Sequence, residues 1–212
     1  MVKVYVMGVS ELPDPIEYPE CMDGLTENRK EKILRYKQKI NRKQSLGAGL
    51  LLKQIFDEYN LKFDDLYYGE NGKPEVKGLY FNLSHSDELV VCAVGEKPVG
   101  CDIEKIGEFR EGVATRYFSK RENEYLSQFD SYAKRDEFYR FWTMKESYLK
   151  MTGEGMSLSL DRLEFVLDEE VKVLRDGELC FCRIKEYQIP KYKLSVCAED
   201  LNFDNNFVII RC

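Results

Sequence analysis

Apolar residues in this chain fall into two patterns, short alternating runs and recurrences every three to four positions, so both strands and helices are expected. Residues 2–8 alternate and predict a first strand. Residues 27–37 predict a helix with Thr26 as N-cap, and residues 42–59 a second helix with Leu46, Leu50, Ile55 and Tyr59 among its apolar positions. A turn-rich segment, 69–74, leads to three strand-like runs at 79–84, 88–94 and 98–104. Ser119 and Glu122 have capping-box spacing for a helix over 120–129. A longer helix over 134–151 places Phe138, Phe141, Trp142, Leu149 and Met151 on or near its apolar side, and Gly153 and Gly155 end it. Residues 160–212 alternate like a series of strands. Each half thus holds helices followed by strands. The expected fold is α+β, with two similar α/β lobes in a pseudo-twofold arrangement, an N-terminal lobe over 1–105 and a C-terminal lobe over 106–212.

Composition narrows the class. The chain has 212 residues and lacks an apolar run near the roughly 20 residues a membrane helix needs. Its first residues alternate and lack the apolar core of a secretion signal. A cytoplasmic protein without membrane association is expected. Seven cysteines, an odd number without a C-x-x-C pair, accompany a single histidine, His85. That set does not suit zinc and reads as reduced, buried thiols, with Cys180 and Cys182 alternating on one face of a strand. The net charge of −6 argues against nucleic acid as a partner. Against that average, Arg29 to Lys43 holds eight basic residues and one acid, as a specific anionic ligand would require.

Four groups of residues bear candidate chemistry. Asp102 and Glu104 lie two apart in a predicted strand, so their carboxylates share a face, and a buried pair of that kind calls for a counter-cation such as Mg²⁺. Glu146 and Lys150 lie four apart on the long helix, on the stripe that begins at Trp142. Facing Asp102 and Glu104, Glu146 would complete a metal site and Lys150 would neutralise a phosphate. Ser84 and His85 end a strand, where a hydroxyl, an imidazole and backbone N–H groups suit phosphate oxygens. Lys73 follows Gly72 and precedes Pro74, on what should be an exposed turn tip.

The ordered set GKP (72–74), FNLSHS (81–86), VGCDIE (99–104) and FWTMKESYLK (141–150) resembles the Sfp-type 4′-phosphopantetheinyl transferases. The resemblance implies a two-lobed enzyme that moves 4′-phosphopantetheine from coenzyme A to a serine of an acyl or peptidyl carrier protein, leaving 3′,5′-ADP. It implies Mg²⁺, or alternatively Mn²⁺, among Asp102, Glu104 and Glu146. Glu146 would act as general base, Lys150 at the pyrophosphate, and His85 beside the reacting groups. Lys73, Ser84, His85 and Lys150 would contact coenzyme A, and the 3′-phosphate would meet Lys43 with Arg29 and Lys32, the choice between Arg42 and Lys43 being open. Cys101 stands where an aliphatic residue is usual and should point into a core. A chain supplying both lobes is expected to be a monomer. The other readings are a non-catalytic carrier-protein or nucleotide-binding module of the same fold, and a metal-dependent phosphohydrolase. The segment 106–132, with Phe109, Tyr117, Phe118, Tyr125 and Leu126 beside Arg110, Arg116, Lys120 and Arg121, is the expected docking surface for the carrier protein.

Overall fold

The computed structural model describes residues 1–69, 72–155 and 158–211; Glu70 and Asn71 of the predicted turn, and Cys212, lie outside the described residues. The first part of the chain forms β1 (Lys3–Gly8), α1 (Glu27–Leu34), α2 (Lys39–Glu58), β2 (Tyr67–Tyr68), β3 (Pro74–Glu75), β4 (Tyr80–Ser86), β5 (Leu89–Gly95) and β6 (Val99–Lys105). Then come α3 (Glu111–Tyr117), α4 (Lys120–Leu126), α5 (Ser131–Thr152), β7 (Leu163–Val166), β8 (Lys172–Arg175), β9 (Glu178–Leu179), β10 (Arg183–Ile189), β11 (Tyr192–Ala198) and β12 (Val208–Ile210).

Two sheets form the centre, in the orders β12-β1-β5-β4 and β10-β11-β6. The layout repeats. A strand, a long helix and a hairpin follow one another as β1–α2–β4–β5 and as β6–α5–β10–β11. In each unit the first strand pairs antiparallel with the second strand of the hairpin. This is the α+β, two-lobed repeat that the succession of elements predicts. Strands cross the midpoint of the chain: β6 hydrogen-bonds to β11, and β12 pairs parallel with β1.

β1 and β5 are buried on both faces. Tyr5, Met7, Val90, Cys92 and Val94 pack with α2 residues such as Leu51 and Ile55. The opposite face, with Val4, Val6, Val91 and Ala93, packs against Val99, Cys101 and Ile103 of β6 and Leu194 and Val196 of β11. α5 covers the other face of the second sheet. Apolar residues on both faces explain why these strands read as continuous runs. Cys101 lies in the core between the sheets, opposite Asp102, as expected.

The two sheets also meet edge to edge, where β4 runs beside β6 without backbone pairing. Asn82, Ser84 and Ser86, alternate residues of β4, accept from the N–H groups of Cys101, Ile103 and Lys105 at 2.9, 3.4 and 3.0 Å. Side chains therefore satisfy the row of edge N–H groups that another strand would otherwise have to pair.

Several boundaries differ from the periodicity. α1 stops at Leu34, and α2 starts at Lys39, because the Tyr36 and Lys37 carbonyls between them accept from Arg42 Nη1 at 3.1 and 2.8 Å. Thr26 is the N-cap of α1 but makes no side-chain cap bond. α5 begins three residues early, at Ser131, because Asp130 Oδ1 accepts from Tyr132 and Ala133 N–H. Its end at Gly153, φ 75°, is as predicted. Cys180 and Cys182 do not share a strand. The chain turns between β9 and β10, and Cys182 N–H donates to the Cys180 carbonyl at 3.0 Å. The aromatic segment before α5 is largely core: Phe118 and Leu126 are buried, and Phe109, Tyr117 and Tyr125 pack against Phe138, Trp142 and Phe141. Its basic residues, among them Arg116 and Lys120, stay exposed.

Candidate active site

Gly100 brings the site together. A Cβ there would lie 2.1 Å from the Ser147 carbonyl oxygen and 2.2 Å from Met151 N, so only glycine lets α5 lie this close on β6. Glu146 and Lys150 are thereby carried over Asp102 and Glu104. The four side chains line one cavity of about 380 Å³ with Leu83, Ser84, His85 and Trp142.

Within it, Lys150 Nζ donates to Asp102 Oδ1 at 2.6 Å and to Ser84 Oγ at 3.0 Å. Ser84 Oγ donates to the same Asp102 oxygen at 2.9 Å. Asp102 Oδ2 is buried with no hydrogen-bond partner. Ser86 Oγ donates to Glu104 at 2.9 Å. Burial pushes the Asp102 carboxyl up, against the Lys150 charge. Burial, then the Asp102 charge, does the same to Glu104. Glu146 is raised by burial and by both other carboxylates. Burial alone would lower Lys150, but the surrounding groups, Asp102 foremost and Glu146 among them, together raise it. Three carboxyls facing one ammonium in a single cavity leave the site short of positive charge.

A second cavity of about 290 Å³ lies beside the first, and Leu83 and His85 line both. Arg29, Lys32, Tyr36, Asn41, Gln44 and Ser45 line it. Arg29 donates from Nη2 to the Ser45 carbonyl at 2.7 Å, and its Nε is buried without a partner. Burial lowers Arg29, and burial with the Arg29 charge lowers Lys32. His85, exposed, lines both cavities. Its surroundings desolvate it, and Lys150 and Arg29 repel a proton, so its imidazole is pushed below the ordinary value.

Four predicted phosphate ligands are placed otherwise. Arg42 is buried, its Nε and Nη2 on the two oxygens of Asp14 at 2.8 and 2.6 Å, and it does not line the basic cavity. Lys73 is half-buried and not on an exposed tip; Nζ donates to the Lys150 carbonyl at 2.7 Å, at the negative end of α5. Ser84 is buried, its hydroxyl taken by Asp102, Ile103 N–H and Lys150. Lys43 Nζ reaches the Ser10 carbonyl at 2.7 Å, and Lys43 does not line the basic cavity. The residues missed are Asn41, Gln44 and Ser45. Their signal was available, since they share the first turns of α2 with the basic stretch.

Comparison with known proteins fits this arrangement. The sequence model of the 4′-phosphopantetheinyl transferase superfamily matches residues 98–197, nearly the span of the second repeat. The 4′-phosphopantetheinyl transferase Sfp of Bacillus subtilis (strain 168) is 30% identical over 218 residues, covering 99% of this chain and 97% of that protein. The chain belongs to the 4′-phosphopantetheinyl transferase superfamily. The 4′-phosphopantetheinyl transferase gsp of Aneurinibacillus migulanus is 35% identical over 168 residues, 76% of this chain and 70% of that one. Among solved structures, the holo-acyl-carrier-protein synthase of Thermotoga maritima aligns over 48% of this chain and 61% of its own, at 16% identity and a TM-score of 0.42. As a phosphopantetheinyl transferase the chain is an enzyme, which sets aside the non-catalytic module. Among the described residues no helix is long and apolar enough to cross a membrane.

Proposed function

We propose that the chain transfers 4′-phosphopantetheine from coenzyme A to a serine hydroxyl of an acyl or peptidyl carrier protein, releasing 3′,5′-ADP. One observation carries the assignment of the site: a cavity with three carboxylates and a lysine adjoins a basic cavity, with Leu83 and His85 lining both. A pyrophosphate with a second phosphate attached spans such a pair.

Mg²⁺ fits the first cavity. Among the described residues no three His, Cys, Asp or Glu groups form a ready-made metal cage. Yet the buried oxygen of Asp102 without a partner, and the raised carboxyls around it, make a hard oxygen donor set short of a cation. Asp102, Glu104 and Glu146 would hold Mg²⁺, or Mn²⁺ in its place. When bound, the ion would supply charge neutralisation at the pyrophosphate.

The remaining steps belong to the protein. Arg29, Lys32 and His85 seat the 3′-phosphate and nucleotide side of coenzyme A. Glu146, its carboxyl raised by burial, takes the proton of the incoming serine hydroxyl. The serine oxygen forms a bond to the β-phosphorus as the bond to the bridging oxygen of 3′,5′-ADP breaks. The Lys150 ammonium stabilises the charge that collects on the leaving phosphate. The nucleophile comes from the partner, so the chain needs none of its own. We place the two lobes as the two repeats in a cytoplasmic monomer; the expected boundary at 105/106 would cut β6 from its partner β11 and from α5, so β6 goes with the C-terminal lobe.

Mass spectrometry of apo-carrier proteins incubated with coenzyme A and Mg²⁺ tests this. One added phosphopantetheine on a serine is expected. Release of phosphopantetheine from coenzyme A without a carrier would instead make the chain a hydrolase.

A further inference from the structure

Lys145 precedes Glu146 on α5, about 100° round the helix, and points away from the cleft. Its side chain is 0% exposed. Nζ donates to the Leu160 and Leu163 carbonyls at 2.9 and 2.5 Å and stands 2.9 Å from Glu122 Oε2. Three acceptors satisfy all three ammonium protons. The rings of Phe118 and Phe165 close over it at 5.5 and 5.6 Å. Glu122 is equally enclosed: Oε1 accepts from Phe165 N–H at 2.9 Å and Oε2 from Ser119 N–H at 2.8 Å.

Four parts of the chain converge on this pair: the start of α4, the middle of α5, the turn before β7, and β7 itself. A buried ion pair is a costly means of stability, since apolar residues of similar size often serve as well. What it adds is direction. An apolar side chain tolerates a helix that rolls by some degrees, whereas an ammonium held by three fixed oxygens does not.

We propose that Glu122 and Lys145 are positioning residues of the transferase, their ion pair setting the rotation of α5 about its axis and so the approach of Glu146 and Lys150 to Asp102. This rests on the transferase reading given above. Gly100 sets how close α5 lies to β6, and the Glu122–Lys145 pair sets which way it faces. Neither residue lines the basic cavity, which belongs to α1, α2 and β4 and the residues near them. Loss of the pair therefore slows the chemical step and leaves coenzyme A binding alone.

The test compares wild type with Glu122→Gln and with the neutral double variant Glu122→Gln/Lys145→Met, measuring melting temperature, kcat and KM for coenzyme A on one apo-carrier protein. A misplacement near 1 Å costs on the order of 100-fold in rate. The double variant should recover much of the melting temperature lost in Glu122→Gln. Its kcat should stay about 10- to 100-fold below wild type, with KM for coenzyme A unchanged. Wild-type kcat in the double variant, or kcat and KM shifting together, would overturn the proposal. If the double variant does not fold, Glu122→Gln, which loses a charge and no heavy atom, is read by the same split. Wild type inactive on every carrier would sink the transferase reading; active wild type with unaffected variants would sink only the positioning role.

Discussion

Lys150 Nζ lies 2.6 Å from Asp102 Oδ1, while Oδ2 of the same carboxylate is buried and unpartnered. The lysine thus answers one oxygen and leaves the other to a cation. Asp102→Asn keeps the shape and removes the charge, and transfer should fall by about 10- to 100-fold or more, the scale of losing a group that orders a metal. EDTA should stop the wild-type reaction and Mg²⁺ restore it. Undiminished transfer in EDTA would show that the carboxylates serve another end.

The basic cavity predicts which lysine reads the 3′-phosphate. Lys32 lines the cavity and Lys43 does not. Lys32→Ala should weaken coenzyme A binding by about 1.5–3 kcal/mol, the worth of a charged hydrogen bond. The same change should barely affect dephospho-coenzyme A, and Lys43→Ala should leave both ligands near wild type. Calorimetric titration of the two ligands decides; equal losses for both would place the 3′-phosphate elsewhere.

Gly100→Ala inserts a methyl group where backbone atoms of α5 stand 2.1 and 2.2 Å away. The helix must lift, at a cost of about 1–3 kcal/mol or more in stability. Because Glu146 and Lys150 lift with it, kcat should drop even well below the melting temperature. A variant that melts early yet turns over normally would dissociate the helix contact from catalysis.

The Arg42 guanidinium, bonded to both oxygens of Asp14, holds that carboxyl down at about 2, against an ordinary 3.8. A depressed carboxyl stabilises the fold above its unfolded value, and that contribution is lost as pH falls through the folded one. Asp14→Asn should therefore lower the melting temperature at pH 7. Its deficit relative to wild type should shrink as the pH falls from about 4 toward 2. A deficit independent of pH would assign Asp14 a role without charge.

Much of the site was legible because its residues sit close together in local patterns. Asp102 and Glu104 are two apart in a strand, and Glu146 and Lys150 four apart in a helix, so each pair follows from one period. The Ser119–Glu122 capping box is likewise local and is present as predicted. What escaped was set by distant partners. The basic stretch shows Arg42 as one cation among eight; only the fold brings in Asp14, 28 residues away, and pairs Arg42 with it. Lys73 meets the end of α5 across 77 residues. Ser84 reads as a phosphate ligand at a strand end, and its bond to Ile103 N–H, like that of Ser86 to Lys105 N–H, follows only when β6 lies alongside.

Every residue assigned to the site lies before Met151, but β6, the strand with Asp102 and Glu104, takes its backbone partner from Tyr192–Ala198. During synthesis all the chemical groups are therefore present well before the scaffold that aligns them. At ribosomal rates of about 5–20 residues per second, that interval lasts on the order of 2–10 s. Until β11 arrives, the carboxylates stand on a strand with one open edge. A nascent chain that has not yet reached β11 should be inactive, and a fragment ending at residue 190 should contain the whole site in sequence and none of its activity.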